Sequence, residues 1–377
     1  MRLSVLLLIF AVVTAATAGC GGSSHDPAAT GTTTRQSHGS TVKQATTPQA
    51  GAFAHPMGRA HLVPGSDPSV LPGDVLIADR SNNRLLVVDP EGRIVWRFPS
   101  SGNGTLPLPD DAFFSPDGRQ IVVTEEDVDM ISIVDVASRR ISWRYGALDA
   151  PGSSANRLAH PDDAMMLPDG SILTADIENC RLLILHPPSH RPGRAAGSPL
   201  RGCIHDPPGA WGSPNGAFPL QGGGTLVTEI YNDWVDALSP SGRLLWATHP
   251  PGVSYPSDSN EVRPGLYVTV GWQSPGILET FDRHGRLHWR YRPRAGASPL
   301  DHPSLALPLP NGDFLVNDDF NDRVIVIDPH TNRVVWQYGH TGVARSSPGY
   351  LSRPDGVDLV PPASLLTRPS GKIRVAP

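Results

Sequence analysis

Polar side chains recur at fixed places in this sequence, beside short runs of apolar residues. Carboxylates end one set of runs, at Asp79, Glu125, Asp176, Glu229 and Asp318. A second set of polar residues begins other runs, at Asp111, Asp163, Asn215 and Asp355. Carboxylates together with an amide oxygen suit Ca²⁺, so we expect ligand-binding residues here and consider a divalent cation such as calcium as the candidate cofactor.

Histidine would add a different chemistry at the same places. His160 and His302 each precede a proline at the start of an apolar segment. A histidine beside carboxylates serves a transition metal or general acid–base catalysis, so these two are the candidate catalytic residues. The competing interpretation is structural. The carboxylates would cap the backbone of their own turns, and the His-Pro pairs would only shape the start of a strand.

The elements that would position these residues are sequence repeats. Similar segments begin at Val75, Ile121, Ile172, Leu226, Leu266 and Phe314. Their spacing of about 40 to 50 residues is typical of propeller blades. Each copy contains three apolar runs, and an earlier segment with a Pro-Asp-Gly or similar turn supplies a fourth strand. We therefore predict an all-β fold, a six-bladed β-propeller of four-stranded antiparallel blades, over residues 55–377.

Tryptophan marks the end of five of the six repeats, at Trp96, Trp143, Trp246, Trp289 and Trp336. A large flat side chain at a repeated position indicates packing of one blade against the next. The third repeat lacks this tryptophan and runs into an irregular insertion. Segments from either chain end resemble the missing strand of the first blade. Residues 355–360 are favoured, because using both chain ends to close the ring removes an exposed sheet edge.

Strand direction predicts where a site would lie. The first strand of a blade begins beside the central channel, and the second strand returns to the same face. The start of one and the end of the other therefore meet at one mouth, which we expect to gather the carboxylates, Asn215 and the two histidines. Like charges crowded there would need a counter-ion or a basic partner.

Three of the repeats carry a family resemblance. The segments ADRSNNR, ADIENCR and NDDFNDR resemble NHL repeats, which build six-bladed propellers. The pattern that ends in tryptophan is also similar to PQQ-type repeats and to bacterial aryl sulfotransferases. These resemblances imply the fold more strongly than the activity, since NHL-like propellers include binding domains, lyases and lactonase-like hydrolases.

Residues 1–19 have the pattern of an export signal. An apolar run over residues 5–13 is too short to span a bilayer, and small residues follow it. The sequence TAGC, which ends at Cys20, resembles the lipobox of bacterial lipoproteins, and this implies that Cys20 is lipidated. Thr17 departs from the usual leucine, and an ordinary cleaved secretory signal is the alternative.

Residues 20–54 would then comprise the lipidated Cys20 and a linker rich in Gly, Ser, Thr, Ala and Gln. This composition predicts a disordered tether that holds the propeller off the membrane. We expect the chain in the cell envelope, outside the cytoplasm. Cys180 and Cys203 would either form a disulfide or remain as buried free thiols.

Two functional hypotheses follow. The first is a membrane-tethered, extracytoplasmic propeller that binds a small molecule or a protein partner at an acidic channel mouth. The alternative is a propeller enzyme at the same mouth, a lyase, a lactonase-like hydrolase or an aryl sulfotransferase-like enzyme that uses a metal or a histidine. A net charge of −5 without a basic stripe argues against nucleic acid as a partner. The sequence contains no G-x-S-x-G, H-E-x-x-H or P-loop motif.

Overall fold

The chain folds into six four-stranded antiparallel sheets, as the repeats predict. A computed structural model describes residues 59–100, 104–293 and 295–366. These residues contain strands and short 3₁₀ turns but no α-helix. No helix among them is long and apolar enough to cross a membrane. Cys20 and the predicted export signal and linker lie outside the described residues.

The strands are numbered in chain order, and each blade is given with its own strands. Blade 1 contains β1 (Val75–Asp79), β2 (Arg84–Val88), β3 (Ile94–Phe98) and the last strand, β24 (Pro354–Leu359). Blades 2 and 3 contain β4 (Ala112–Phe114), β5 (Gln120–Glu125), β6 (Met130–Asp135), β7 (Arg140–Gly146), β8 (Pro161–Met166), β9 (Ile172–Asp176), β10 (Arg181–Leu185) and β11 (Pro192–Gly197).

The other three blades repeat this order. Blades 4 and 5 contain β12 (Pro214–Pro219), β13 (Thr225–Glu229), β14 (Trp234–Leu238), β15 (Leu244–Thr248), β16 (Pro256–Arg263), β17 (Leu266–Gly271), β18 (Ile277–Phe281) and β19 (Leu287–Arg290). Blade 6 contains β20 (Ala306–Pro308), β21 (Phe314–Asp318), β22 (Arg323–Asp328) and β23 (Arg333–Gly339). The inner strands, which surround the channel, are β24, β4, β8, β12, β16 and β20.

The C-terminal strand closes the ring, as predicted. β24 pairs antiparallel with β1, from Val75 opposite Leu359 to Asp79 opposite Pro354. The segment that precedes blade 1 instead packs on blade 6, where the amide of Val63 donates to the carbonyl of Gln337. The segment before blade 1 and the strand β24 therefore both lie at the junction between blades 6 and 1. Neither of these two blades is left with an open inner edge.

Tryptophans pack the blades against one another. The indole of Trp96 donates to the carbonyl of Val136 in blade 2, and that of Trp336 donates to the carbonyl of Pro90 in blade 1. Trp289 stacks on Phe314 of the next blade at 5.5 Å. Blade 3, whose outer strand lacks a tryptophan, uses one from the following loop. Trp211 is fully buried between blades 3 and 4.

The insertion after β11, residues 198–213, is tied down by a disulfide. Cys180 and Cys203 are bonded, with their Cα atoms 5.1 Å apart. Trp211 adds a hydrogen bond from its indole nitrogen to the carbonyl of Ala196 in β11. A covalent bond and a buried aromatic ring thus fix the one irregular segment of the ring.

Candidate functional site

A proline followed by a polar residue stands at or just before the start of every inner strand. The six residues are Asp355, Asp110, Asp162, Asn215, Ser257 and Ser304, in blades 1 to 6. All six line one cavity of about 250 Å³ at the end of the channel, which we call the channel mouth. The residue before each proline is in the left-handed region, with φ between 44° and 60°. This repeated backbone conformation directs the side chain of the residue after the proline into the mouth.

Hydrogen bonds between blades hold these left-handed residues in place. The side chain of Asn83 accepts from the amide of Leu108 at 2.8 Å, and Asp129 accepts from the amide of His160 at 3.1 Å. Equivalent bonds join Asp233 to Tyr255 and Asp322 to Arg353. Blade 3 has Cys180 at the equivalent position, with the same left-handed backbone, and its tie is the disulfide to Cys203.

Three aspartates converge beneath the mouth, and we call them the channel carboxylates. Asp111, Asp163 and Asp258 follow the lining residues of blades 2, 3 and 5, and each is at most 5% exposed. One carboxylate oxygen of each lies within 4.8 Å of those of the other two. One oxygen of each has no hydrogen-bond partner among the described residues. Buried carboxylates at this distance repel unless a proton or a cation intervenes.

A glycine in blade 4 leaves room for the channel carboxylates to lie this close together. Gly216 occupies the position that is aspartate in blades 2, 3 and 5. A Cβ atom there would collide with the carboxylate of Asp258 and the hydroxyl of Thr228. The space over the channel carboxylates therefore depends on the absence of a side chain at this residue.

Burial dominates the electrostatics of the channel. It raises the pKa of Asp111, Asp163 and Asp258 well above the ordinary range, and the neighbouring carboxylates raise each further. Asp162, at the mouth, has its pKa raised to about 7, again mainly by burial. Without a cation, these groups therefore retain protons at pH values where an exposed aspartate is ionised.

Arg80 neutralises a different part of the mouth. Its guanidinium pairs with Asp110, with Asp355 at 2.6 Å, with Asp127 at 2.8 Å and with Glu126 at 3.1 Å. Burial acts to lower the pKa of Arg80, but these carboxylates outweigh it and raise the pKa. The arginine therefore serves the rim carboxylates rather than Asp111, Asp163 and Asp258.

Aromatic side chains form the opposite wall of the mouth. Tyr255 and Trp272 line the cavity, with ring centroids 5.3 Å apart. The ring of Phe320 lies 6.0 Å from that of Trp272. The guanidinium of Arg353 stacks 4.6 Å above the ring of Phe320. The mouth thus offers a charged side around Arg80 and a flat apolar side in blades 5 and 6.

Three predicted ligand residues have a different place, and we call them the turn carboxylates. Asp79, Asp176 and Asp318 are fully buried at the ends of their strands. Asp79 accepts from the amide side chain of Asn82, from Arg84 at 2.6 Å and from the amide of Ser352. Asp176 and Asp318 have the same partners in Asn179, Arg181, Asn321 and Arg323. These aspartates hold turns together, which was the structural interpretation of the repeat.

Glu125 and Glu229 also lie behind the wall of the channel rather than in its mouth. Glu125 accepts from the hydroxyl of Ser132 and lies 3.8 Å from Arg144. Glu229 accepts from the amide of Gly212 and lies 2.9 Å from His205. Side chains alternate along a strand, so the last residue of the second strand faces its own blade while the next residue reaches the mouth.

Neither candidate histidine lies in the wall of the cavity. His160 is 39% exposed, and its ring nitrogens lie 3.8 Å from Glu126 and 3.9 Å from Glu178. Glu126 is the main cause that raises its pKa to about 9. His302 packs between Trp272 and Phe320 and pairs with Asp301 at 2.7 Å. The structure therefore gives both histidines positions beside the mouth.

Of the sequence candidates, Asp111, Asn215 and Asp355 line the mouth and Asp163 lies just beneath it. Sequence reasoning missed several lining or central residues, namely Arg80, Asp110, Glu126, Asp162, Tyr255, Asp258, Trp272 and Asp319. A signal for two of them, Asp110 and Asp162, was present. A proline followed by Asp, Asn or Ser stands at or just before the start of each inner strand, and aligning the six copies on that proline would have found the ring.

Comparisons with known proteins bear on the fold. No family model matches the chain, and no curated protein matches it. A protein of unknown function from Bacteroides caccae has 17% identity and a TM-score of 0.55, over 76% of this chain and 98% of that chain. A chain of a nidogen/laminin complex has 12% identity and a TM-score of 0.54, over the same shares. A streptogramin B lyase has 13% identity and a TM-score of 0.46, over 68% of this chain and 74% of that chain.

Proposed function

We propose that this protein is an exported, lipid-anchored propeller that binds a divalent cation, calcium, in its channel and a small polar ligand in the mouth above it. The single observation that carries the proposal is the cluster of Asp111, Asp163 and Asp258. One carboxylate oxygen of each lies within 4.8 Å of those of the other two, and each residue has a buried oxygen without a hydrogen-bond partner among the described residues. A buried charge is costly unless it is paired or coordinates a metal, and a cation would compensate all three.

The donor set favours calcium over a transition metal. The atoms that converge here are oxygens, and Ca²⁺ takes oxygen ligands at about 2.3–2.6 Å in flexible geometry. Two ligands of one Ca²⁺ ion are therefore at most about 5 Å apart, which the spacing of this cluster satisfies. Asp111 also belongs to a second close group with Asp110 and Asp162, so the cation-binding region would extend into the mouth.

The mouth itself suits a small ligand. Its volume of about 250 Å³ lies below that of most drug-sized pockets. Its wall carries seven carboxyl side chains and two guanidinium groups, with Tyr255 and Trp272 on one side. We expect a ligand with an oxygen that contacts the cation and a flat apolar part that packs on the two aromatic rings.

Calcium titration of the chelator-treated protein by calorimetry tests the cation site. We expect saturable binding by the wild type and at least a tenfold weaker affinity in Asp163→Asn and in Asp258→Asn. Asp169→Asn, which changes an exposed turn carboxylate of blade 3, is the matched control and should bind as the wild type does. Absence of calcium binding, or equal binding by all four proteins, would overturn the proposal.

The lipid anchor has a separate test. Replacing Cys20 by alanine should move the protein from the membrane fraction to the soluble fraction and change its electrophoretic mobility, because the acylated residue is gone. Ser24→Ala, which lies in the same segment, should remain in the membrane. Membrane attachment that survives Cys20→Ala would contradict the anchor and leave the cation site unaffected.

An enzyme at the same mouth is the second candidate, and Asp162 favours it. This carboxyl lines the cavity and has its pKa raised to about 7, which suits proton transfer near neutral pH. A panel of lactones and aryl sulfate donors, assayed with calcium, tests this function. Turnover that is lost in Asp162→Asn while calcium binding persists would support it, and no turnover with any member would count against it.

A further inference from the structure

We infer that His205, Glu229 and Asp236 form a second metal site, selective for a transition-metal ion such as Zn²⁺, between the blade 3 insertion and blade 4. One ligand atom from each of the three residues lies within 4.8 Å of the other two. The site is separate from the channel carboxylates and shares no residue with them. A ring nitrogen with two carboxylate oxygens is a donor set that zinc accepts and calcium does not favour.

The distances fit tetrahedral coordination. Nδ1 of His205 lies 2.9 Å from Oε1 of Glu229 and 3.9 Å from Oδ2 of Asp236. Zinc ligands at bond lengths of about 2.0–2.1 Å and tetrahedral angles are about 3.3 Å apart. The two observed distances lie on either side of that value, so small side-chain adjustments would accommodate the ion.

Asp236 is the independent observation that points to a ligand. It is fully buried in β14, and neither of its carboxylate oxygens has a hydrogen-bond partner among the described residues. Two fully buried carboxylates are thus held against one histidine, and a divalent cation would balance both of their charges.

The surrounding structure orients the ligands. Glu229 ends β13 and Asp236 lies on the paired strand β14, so the sheet fixes their separation. The amide of Gly212 donates to the second oxygen of Glu229, and the ring of Trp234 stacks 4.1 Å from the ring of His205. Cys203 stands two residues before His205, and its disulfide to Cys180 anchors the segment that carries the histidine. Such supporting contacts are typical of metal sites.

The site would fasten the insertion to blade 4. The side chain of His205 is 16% exposed, so the ion can exchange with solvent and a water molecule can occupy the fourth position. Binding to the folded state alone raises thermal stability, and the rise depends on zinc concentration. We therefore expect a zinc-dependent increase in the unfolding temperature of the oxidised protein.

Zinc titration of the purified, chelator-treated full chain tests the inference. The wild type should bind one zinc ion at this site, and His205→Ala and Asp236→Asn should each weaken that binding at least tenfold. His249→Ala is the matched control. The ring of His249 also packs on Trp234, with the ring centroids 3.7 Å apart, but His249 is not one of the proposed ligands. His160→Ala controls for the exposed group of Glu126, Asp127 and His160. Both controls should keep the affinity of the wild type.

Two outcomes would overturn the site. The first is no zinc binding by the wild type, which would leave the contact between His205 and Glu229 as a purely structural one beside Asp236. The second is zinc binding that His205→Ala and Asp236→Asn leave unchanged while circular dichroism shows them folded. The calcium proposal stays distinguishable, since Asp163→Asn should keep zinc binding and His205→Ala should keep calcium binding.

Discussion

This propeller contains two sets of buried aspartates, and the two sets have opposite surroundings. The turn carboxylates, Asp79, Asp176 and Asp318, each have an arginine, an asparagine and a backbone amide as partners. The channel carboxylates, Asp111, Asp163 and Asp258, instead lie close to one another, and further carboxylates such as Asp162 add to their repulsion. The comparison teaches that burial alone does not indicate a site. The identity of the compensating group does.

The pKa values express the same difference. Burial raises the pKa of Asp176, and Arg181, the amide of Ala159 and Asn179 all oppose that rise. Burial also raises the pKa of Asp111, but there the neighbouring carboxylates add to the rise. The first environment supplies its own cation, whereas the second leaves the place of a cation open to a proton or a metal ion.

Removing the arginine of a turn carboxylate should have the largest effect. Arg323→Met leaves Asp318 buried without its cation, and breaking a buried pair in this way costs about 3–5 kcal/mol. Chemical denaturation measures the loss in the free energy of unfolding. Arg119→Met, which removes an exposed arginine 3.7 Å from Asp117, is the control and should cost about 0–1 kcal/mol. A similar small cost for Arg323→Met would show that the turn carboxylates do not depend on their arginines.

Removing the disulfide tests whether the turn of Asp176 also depends on a covalent bond for its stability. The bond joins residues 23 positions apart, and a loop of this size contributes about 3 kcal/mol. A Cys180→Ser, Cys203→Ser double variant should lose about that much in thermal or denaturant unfolding. A reducing agent should destabilise the wild type and leave the double variant unchanged. Equal behaviour of the two proteins in oxidising buffer would contradict this role.

Removing one channel carboxylate should have the opposite sign. Without calcium, Asp258→Asn relieves a buried carboxyl that has no compensating charge, so the free energy of unfolding should rise by about 1–2 kcal/mol. With calcium, the variant should lose the stabilisation that the wild type gains. Denaturant unfolding in chelator and in calcium measures both changes. A variant that is less stable than the wild type in chelator would break the proposed contrast between the two sets.

The pH dependence of stability should show the smallest effect when it is expressed per pH unit. The pKa of Asp162 is raised to about 7 in the folded state, so the folded protein binds more protons than the unfolded chain between about pH 4 and pH 7. In chelator, the free energy of unfolding should therefore fall as the pH rises through this window. The slope contributed by one proton is at most about 1.4 kcal/mol per pH unit. Asp162→Asn should flatten the curve, and a slope that is unchanged in this variant would contradict the assignment.

The fold could be predicted because its signals are repeated and local. Six copies of the strand pattern, turns with glycine after proline and asparagine or aspartate, and five tryptophans each specify the same blade. The C-terminal strand of blade 1 was predictable since only a chain end can supply it. Trp211 was not predicted as the wedge of blade 3, because it stands in the insertion and outside the spacing of the other five.

The site could be predicted only in part, since its chemistry depends on which side of a strand end a residue faces. Asp79 and Arg80 are neighbours in sequence, yet one holds a turn and the other lies in the mouth. No local pattern distinguishes them, because the 3₁₀ turn over residues 80–82 changes the direction of the backbone there. Asp258 was not predicted for another reason. The fifth repeat has serine at the lining position, so the aspartate that follows this serine did not match the acidic pattern of the other repeats.

The closure of the ring by β24 has a consequence for the order of synthesis and folding. β1 is made early, but the inner strand it pairs with is made almost three hundred residues later, from Pro354 to Leu359. During synthesis the first blade therefore remains with one edge unpaired, while blades 2 to 6 can form from contiguous chain. The strand β24 converts an open arc of blades into a closed ring, so the synthesis of this strand, rather than of any other part of a blade, determines when the channel is assembled.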